Sequence, residues 1–259
     1  MLDVAGFDLE LEDKEEKGEE VPVEQAIERI KKLQSEVEDP KVALAFAGIL
    51  GELQAGVCSV RFYSDGSVGR FVTLHALRLQ RPEDNQVLIQ VGRWKPRTGF
   101  VPSCGFPGSK RPSAKDFSHY IDFLIRELSG VLGAQLVQKT GTAADIFKEE
   151  SSQFGTMTTY RRMLQLATLQ PRMDRRSVKA DPTVQQLHQL GPPCTIQGIP
   201  ISSCTVTVAL RSPMEAEVYS WLPSELVDRL DESKKVKSEL KVWAMRFSEQ
   251  ICQWASRQQ

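Results

Sequence analysis

Residues 104–134 read CGFPGSKRPSAKDFSHYIDFLIRELSGVLGA. The stretch opens on a turn, Phe106-Pro107-Gly108-Ser109-Lys110, that joins proline to glycine, the two strongest interrupters of regular structure. Beyond it, Phe117, Tyr120, Ile121, Leu124, Ile125 and Leu128 recur at three- and four-residue steps, the spacing of one apolar helix face. Ser113 stands where an N-cap belongs, so the pattern predicts one helix over 113–132. Near its end come Arg126, Glu127 and Leu128, and Gly133 follows at a helix-stop position.

This loop–helix layout resembles the signature box of Nudix hydrolases. In that family a glycine-bearing turn leads into a helix reading Arg-Glu-hydrophobic-x-Glu-Glu-x-Gly-hydrophobic. The same register here reads Arg126-Glu127-Leu128-Ser129-Gly130-Val131-Leu132-Gly133-Ala134. A second segment, residues 219–226 (YSWLPSEL), is similar to the strand with a Trp-hydrophobic-Pro end that precedes a later helix of the family. The resemblance resting on these two anchors covers about residues 57–232. The resemblance implies an α/β/α sandwich with a mixed sheet and cleavage of nucleoside diphosphates linked to another moiety. It also implies a divalent cation, usually Mg2+, held by box glutamates.

The chemistry explains the motif. Mg2+ is a hard ion that takes oxygen ligands near octahedral positions. It neutralises a diphosphate and lowers the pKa of an attacking water. Glutamates one helical turn apart point into one cleft, and an adjacent arginine orients the first of them. Here the resemblance assigns catalytic positions to Glu127 and Arg126. Gly130 and Val131 replace the two adjacent glutamates, and neither side chain carries an oxygen. Asp116 is the acid nearest the place of the upstream box glutamate. The expectation is therefore a Nudix-type fold without the usual metal cage. Hydrolysis would need ligands from elsewhere, for which Glu149 with Glu150, or Glu215 with Glu217, are available by composition.

The chain has 259 residues, 41% apolar and 26% charged, a soluble globular mix. Its net charge of −1 advertises neither nucleic acid nor membrane as a partner. Five scattered cysteines form no CxxC pair or Cys/His cluster, so structural zinc is not expected. Reduced thiols in the cytoplasm or another reducing compartment are the expectation. No apolar run approaches the ~18 residues of a membrane span. The N-terminus lacks the basic-then-apolar order of a signal peptide.

Outward from the box, four segments are expected. Residues 1–22 form an acidic, flexible tail. Residues 23–56 form a helical hairpin, with Val23, Ala26, Ile27, Ile30 and Leu33 on one helix and Ala45, Ile49 and Leu53 on the next. Residues 57–232 form the Nudix-like domain, and 233–259 a C-terminal amphipathic helix. Within the domain, strands are expected over 57–63, 71–79, 87–91 and 160–169, with Asp65-Gly66 as a tight turn. Residues 93–111 and 170–182 read as loops, 143–150 and 182–190 as short helices, and 195–201 with 203–210 as paired strands.

A ligand reading attaches to the basic residues around the glycine turn. Arg93, Arg97, Lys110 and Arg111, with Gly108, are the candidate ligand-binding set, and Trp94 and Phe100 are rings able to stack a base. The alternative for Gly108 and Gly133 is plain turn and helix-stop geometry. Arg161, Arg162, Arg172, Arg175, Arg176 and Lys179 form a second basic group without aromatic platforms, which argues against nucleic acid. Only three histidines exist, none near a GxSxG elbow, and no Walker loop or GxGxxG appears. The preferred function is a catalytically degenerate Nudix-like domain that binds a nucleoside diphosphate derivative, or a protein partner through the helical termini. The alternatives are a hydrolase with rearranged metal ligands and a structural subunit of a larger assembly.

Overall fold

The computed structural model describes residues 19–111, 116–132, 135–150, 157–170, 183–188, 194–201, 205–212 and 215–258. In chain order the elements are β1 (Glu19–Glu20), α1 (Val23–Glu36), α2 (Pro40–Gln54), β2 (Ser59–Phe62), β3 (Val68–Arg81), β4 (Gln86–Lys95), β5 (Gly99–Gly105) and β6 (Gly108–Arg111). Then follow α3 (Phe117–Glu127), α4 (Ser129–Leu132), β7 (Leu136–Glu150), β8 (Met157–Gln170), β9 (Val184–His188), β10 (Cys194–Ile196) and β11 (Ile199–Ile201). The last are β12 (Thr205–Ser212), β13 (Glu215–Pro223), α5 (Ser224–Glu232), α6 (Lys234–Met245) and α7 (Ser248–Ser256). The architecture is mixed α/β, and every pairing whose register is described is antiparallel. No helix among the described residues is long and apolar enough to cross a membrane.

The chain divides into two compact units, 1–72 with 147–160, and 73–146 with 161–259. In the first, α1 ends at extended Val37, and α2 starts on Asp39, whose carboxylate accepts from the Lys41 N–H at 2.8 Å, with Pro40 pre-set for the first turn. Ala26, Ile30, Ala45, Ile49, Leu50 and Leu53 are buried. Gly66 takes a φ of 84°, which suits glycine in the β2–β3 turn. Buried Arg70 donates to Glu52 on α2 and to the Thr158 hydroxyl at 3.1 Å.

In the second unit β4 is central. Val87, Leu88, Ile89 and Val91 have no exposure, because β13 and β5 both pair with this strand and helices cover it. β13 pairs onward with β12, and β12 with β9. Alternation along β13 decides the packing. Ala216, Val218 and Leu222 enter a core built with Leu226, Leu240, Trp243, Phe247 and Ile251 of α5, α6 and their neighbours. Tyr219 and Trp221 meet the other core, with Phe117, Tyr120, Ile121, Leu124 and Leu128 of the box helix.

Several elements differ from the sequence expectations. Residues 93–111 are not a loop: β4 runs to Lys95, and β5 and β6 occupy most of the rest. Phe100 pairs across from Trp94, so strand pairing overrides the local proline and glycine content. Residues 143–150 continue β7 instead of forming a helix; the Phe147 ring stacks on Tyr160 and Arg162 forks onto Asp145. Residues 184–188 form β9, held by β12, not a helix. β10 and β11 pair with each other, while β12 pairs with β9 and β13. The single C-terminal helix is two, α6 and α7, broken at Arg246 and Phe247. Of the expected loop over 170–182, Gln170 ends β8 and the rest lies outside the described residues; of the expected tail over 1–22, residues 1–18 lie outside them and Glu19–Glu20 form β1, paired with β2.

Candidate functional site

The box helix is two pieces. α3 starts after Asp116, whose side chain makes no cap bond, and ends at Glu127; Leu128 is its C-cap, donating to the carbonyls of Leu124 and Arg126. Ser113, Gly133 and Ala134 lie outside the described residues. Gly130 and Val131 fall in the short α4, where Val131 packs against the helix-side core. Val131, one of the two positions of the expected glutamate pair, is thus turned toward apolar neighbours. Arg126 is exposed and makes no ion pair among the described residues.

The guanidinium that engages Glu127 comes from β12. Arg211 Nη1 donates to the Glu127 carbonyl at 3.0 Å and to its Oε2 at 3.1 Å. Arg211 Nε donates to Glu217 Oε2, and Nη2 to the Tyr219 hydroxyl at 2.6 Å. The Tyr219 hydroxyl in turn donates to Glu217 Oε2. Arg93 on β4 adds a second cation 3.5 Å from Glu217 Oε1. Two carboxylates therefore meet two guanidiniums, and one guanidinium is shared between both acids.

The electrostatics follow from this crowding. Burial opposes the Glu217 charge, but the Tyr219 hydroxyl, then Arg211 and Arg93, overrule it and hold the carboxyl below its usual range. Burial, together with Glu217, pushes the Tyr219 hydroxyl up. Burial also works against the Arg211 charge, yet Tyr219 and Glu217 hold its pKa above the ordinary value. Among the described residues no group of three or more His, Cys, Asp or Glu side chains is arranged to hold a metal ion. The donors around Glu127 do not fit the Mg2+ that the family resemblance implies: an arginine stands between the two carboxylates.

The ligand candidates fall on different strands. Arg93 and exposed Arg97 belong to the β4–β5 hairpin, whereas Lys110 and Arg111 are on β6, in register with Leu74 and Thr73 of β3. The Arg111 guanidinium lies 4.1 Å over the Tyr120 ring, and its buried Nε has no hydrogen-bond partner among the described residues. Trp94 and Phe100 are core residues at 3% and 6% exposure, so neither ring is available to stack a base. Gly108 serves a close approach, not a turn: a Cβ there would meet the His75 carbonyl oxygen at 2.3 Å and Ala76 Cα at 2.9 Å.

Sequence reasoning named Glu217 only by composition and missed Arg211 and Tyr219. The available signal was the alternation Glu215-Ala216-Glu217-Val218-Tyr219, which puts both glutamates and the tyrosine on one strand face. Nothing local marks Arg211, which reaches the site through a β12–β13 register shift between Leu210 and Ser212.

No family model matches this chain, and no curated protein does. Among solved structures, a MutT studied from Aliivibrio salmonicida and Vibrio cholerae is 11% identical, with 66% of this chain and 98% of that one covered and a TM-score of 0.27. An ADP compounds hydrolase is 10% identical, with 78% of this chain and 85% of that one covered and a TM-score of 0.29. At these values neither likeness assigns a reaction to this chain.

Proposed function

We propose that this chain is a Nudix-like domain that does not hydrolyse pyrophosphates and acts by binding, with a nucleoside diphosphate derivative or a protein as partner. One observation carries the reading: the Glu127 carboxylate is held by Arg211, which it shares with Glu217. A guanidinium neutralises carboxylates as a metal would, but it offers a diphosphate no open coordination position and activates no water. Gly130 and Val131 supply no replacement oxygen.

The test is an assay of the purified full chain with Mg2+ or Mn2+ and ADP-ribose. Turnover at background, unchanged in Glu127→Gln, is the expected result. Metal-dependent turnover that disappears in Glu127→Gln overturns it. That outcome favours the second reading, a hydrolase with rearranged ligands, for which the convergence of Glu217 on Glu127 through Arg211 is the supporting observation.

A further inference from the structure

Helix α6 buries Val236, Leu240, Trp243 and Ala244 in the core. Its opposite face has an unusual composition. Lys234, Lys235, Lys241 and Arg246, just past the helix end, are all exposed. Among them lie Val242, 64% exposed, and Met245, 45% exposed. None of the four cations meets a carboxylate among the described residues. The one acid of the helix, Glu239, is turned aside, where its carboxylate accepts from the Gln197 amide at 2.6 Å.

A solvated helix face ordinarily mixes both signs of charge at i, i+4 spacing, because such pairs stabilise the helix and like charges oppose it. Here the four cations stand at other spacings, without a carboxylate partner among the described residues, around two exposed apolar side chains. An acidic partner serves both features. Its carboxylates compensate the cations, and its apolar residues remove Val242 and Met245 from water. We propose that this face of α6 is a docking surface for an acidic, leucine-bearing peptide segment of a protein partner. A lipid surface is disfavoured on the same observations. A helix that lies in a bilayer offers a broad apolar face, commonly with Trp, Phe or Leu; in α6 that face, with Trp243 and Leu240, is buried in the protein core. The proposal stands independently of the Glu127–Arg211–Glu217 network.

The experiment uses the full chain and three probes. The first is a fluorescein-labelled peptide of glutamates with leucine at every third or fourth position. The second is a polyglutamate peptide of equal length, and the third is vesicles of phosphatidylserine and phosphatidylcholine. Fluorescence anisotropy should show binding of the first peptide, weakened by about 0.5 M salt as screening requires. Polyglutamate should bind at least about tenfold more weakly. Lys235→Glu with Lys241→Glu should weaken the leucine peptide about tenfold or more, and Val242→Ser with Met245→Ser by a similar factor. All four side chains are exposed, so both double variants should melt with the wild type, which separates lost docking from lost folding. No peptide binding at millimolar concentration overturns the proposal. So does equal binding by wild type and both variants, equal binding of polyglutamate, or vesicle binding without peptide binding.

Discussion

The Arg211 guanidinium touches two carboxylates and a phenol at once, and both Arg211 and Glu217 keep only 16% of their side-chain exposure. Removing one member of such a pair leaves the other charged, largely desolvated and uncompensated. Arg211→Met is therefore expected to destabilise the fold by about 3 kcal/mol, read from urea melts at neutral pH. Glu217 supplies a pH signature. Its folded pKa lies below the usual glutamate value, so its contribution is fully present above the unfolded pKa and is lost as pH falls through the folded one. The stability gap between wild type and Glu217→Gln should thus be widest near pH 6 and shrink on acidification below about pH 4. A gap that grows in acid would contradict the assignment. Gly108 tests a different constraint. With backbone oxygen 2.3 Å from any added Cβ, Gly108→Ala must push β6 away from β3 and should cost about 2 kcal/mol or more by the same melts. A neutral result would show that the two strands separate freely.

At the scale of elements, legibility followed the range of the forces. α1, α2 and α3 are written in local three- and four-residue steps, and the sequence marks them within a few residues. The tight turn at Asp65 and Gly66 is equally local. β6 and β9 are not, because each is held as a strand by a partner that is not its sequence neighbour, and β5 and the second half of β7 are fixed by pairing with the adjacent strand against their local proline, glycine or polar content. The site divides the same way. Glu127 was legible from its frame on the helix, whereas Arg211 and Tyr219 arrive on β12 and β13 and become neighbours only through sheet pairing. β6 offers the test of the ligand reading at this scale. It carries Lys110 and Arg111 side by side, with a buried Arg111 Nε that has no hydrogen-bond partner among the described residues. Charge-assisted bonds to phosphate contribute more than neutral ones. If β6 borders a nucleotide site, Lys110→Ala with Arg111→Ala should weaken ADP-ribose binding about tenfold, measured by calorimetry. Wild type that binds no nucleotide at millimolar concentration would remove the ligand and leave the protein-partner reading.

For the whole molecule, the thiols report how completely each unit is packed. Cys58 is buried in the first unit and Cys104 in the second, while Cys194 and Cys252 are half-buried; none of the four is in a disulfide. Burial pushes the Cys104 thiol up to about 12, and the nearby charges of Lys241 and Lys237 offset this only in part. The thiolate is the reactive form, so at pH 7 to 9 the folded state holds Cys104 both protonated and out of reach. Alkylation followed residue by residue with mass spectrometry should label Cys194 and Cys252 first. Cys58 and Cys104 should lag by about a hundredfold or more, since they react only through opening of their unit. Their two rates then measure the stability of the two units separately. The same raised pKa gives a stability trend of known sign: a thiol protonated in the folded state favours folding below its unfolded pKa, near 8.5, and that contribution is lost as pH rises toward 12. Wild type should therefore lose stability between about pH 9 and 11 more steeply than Cys104→Ala, in urea melts run in parallel. Equal slopes, or rapid labelling of Cys104 at pH 7, would place that thiol outside the core.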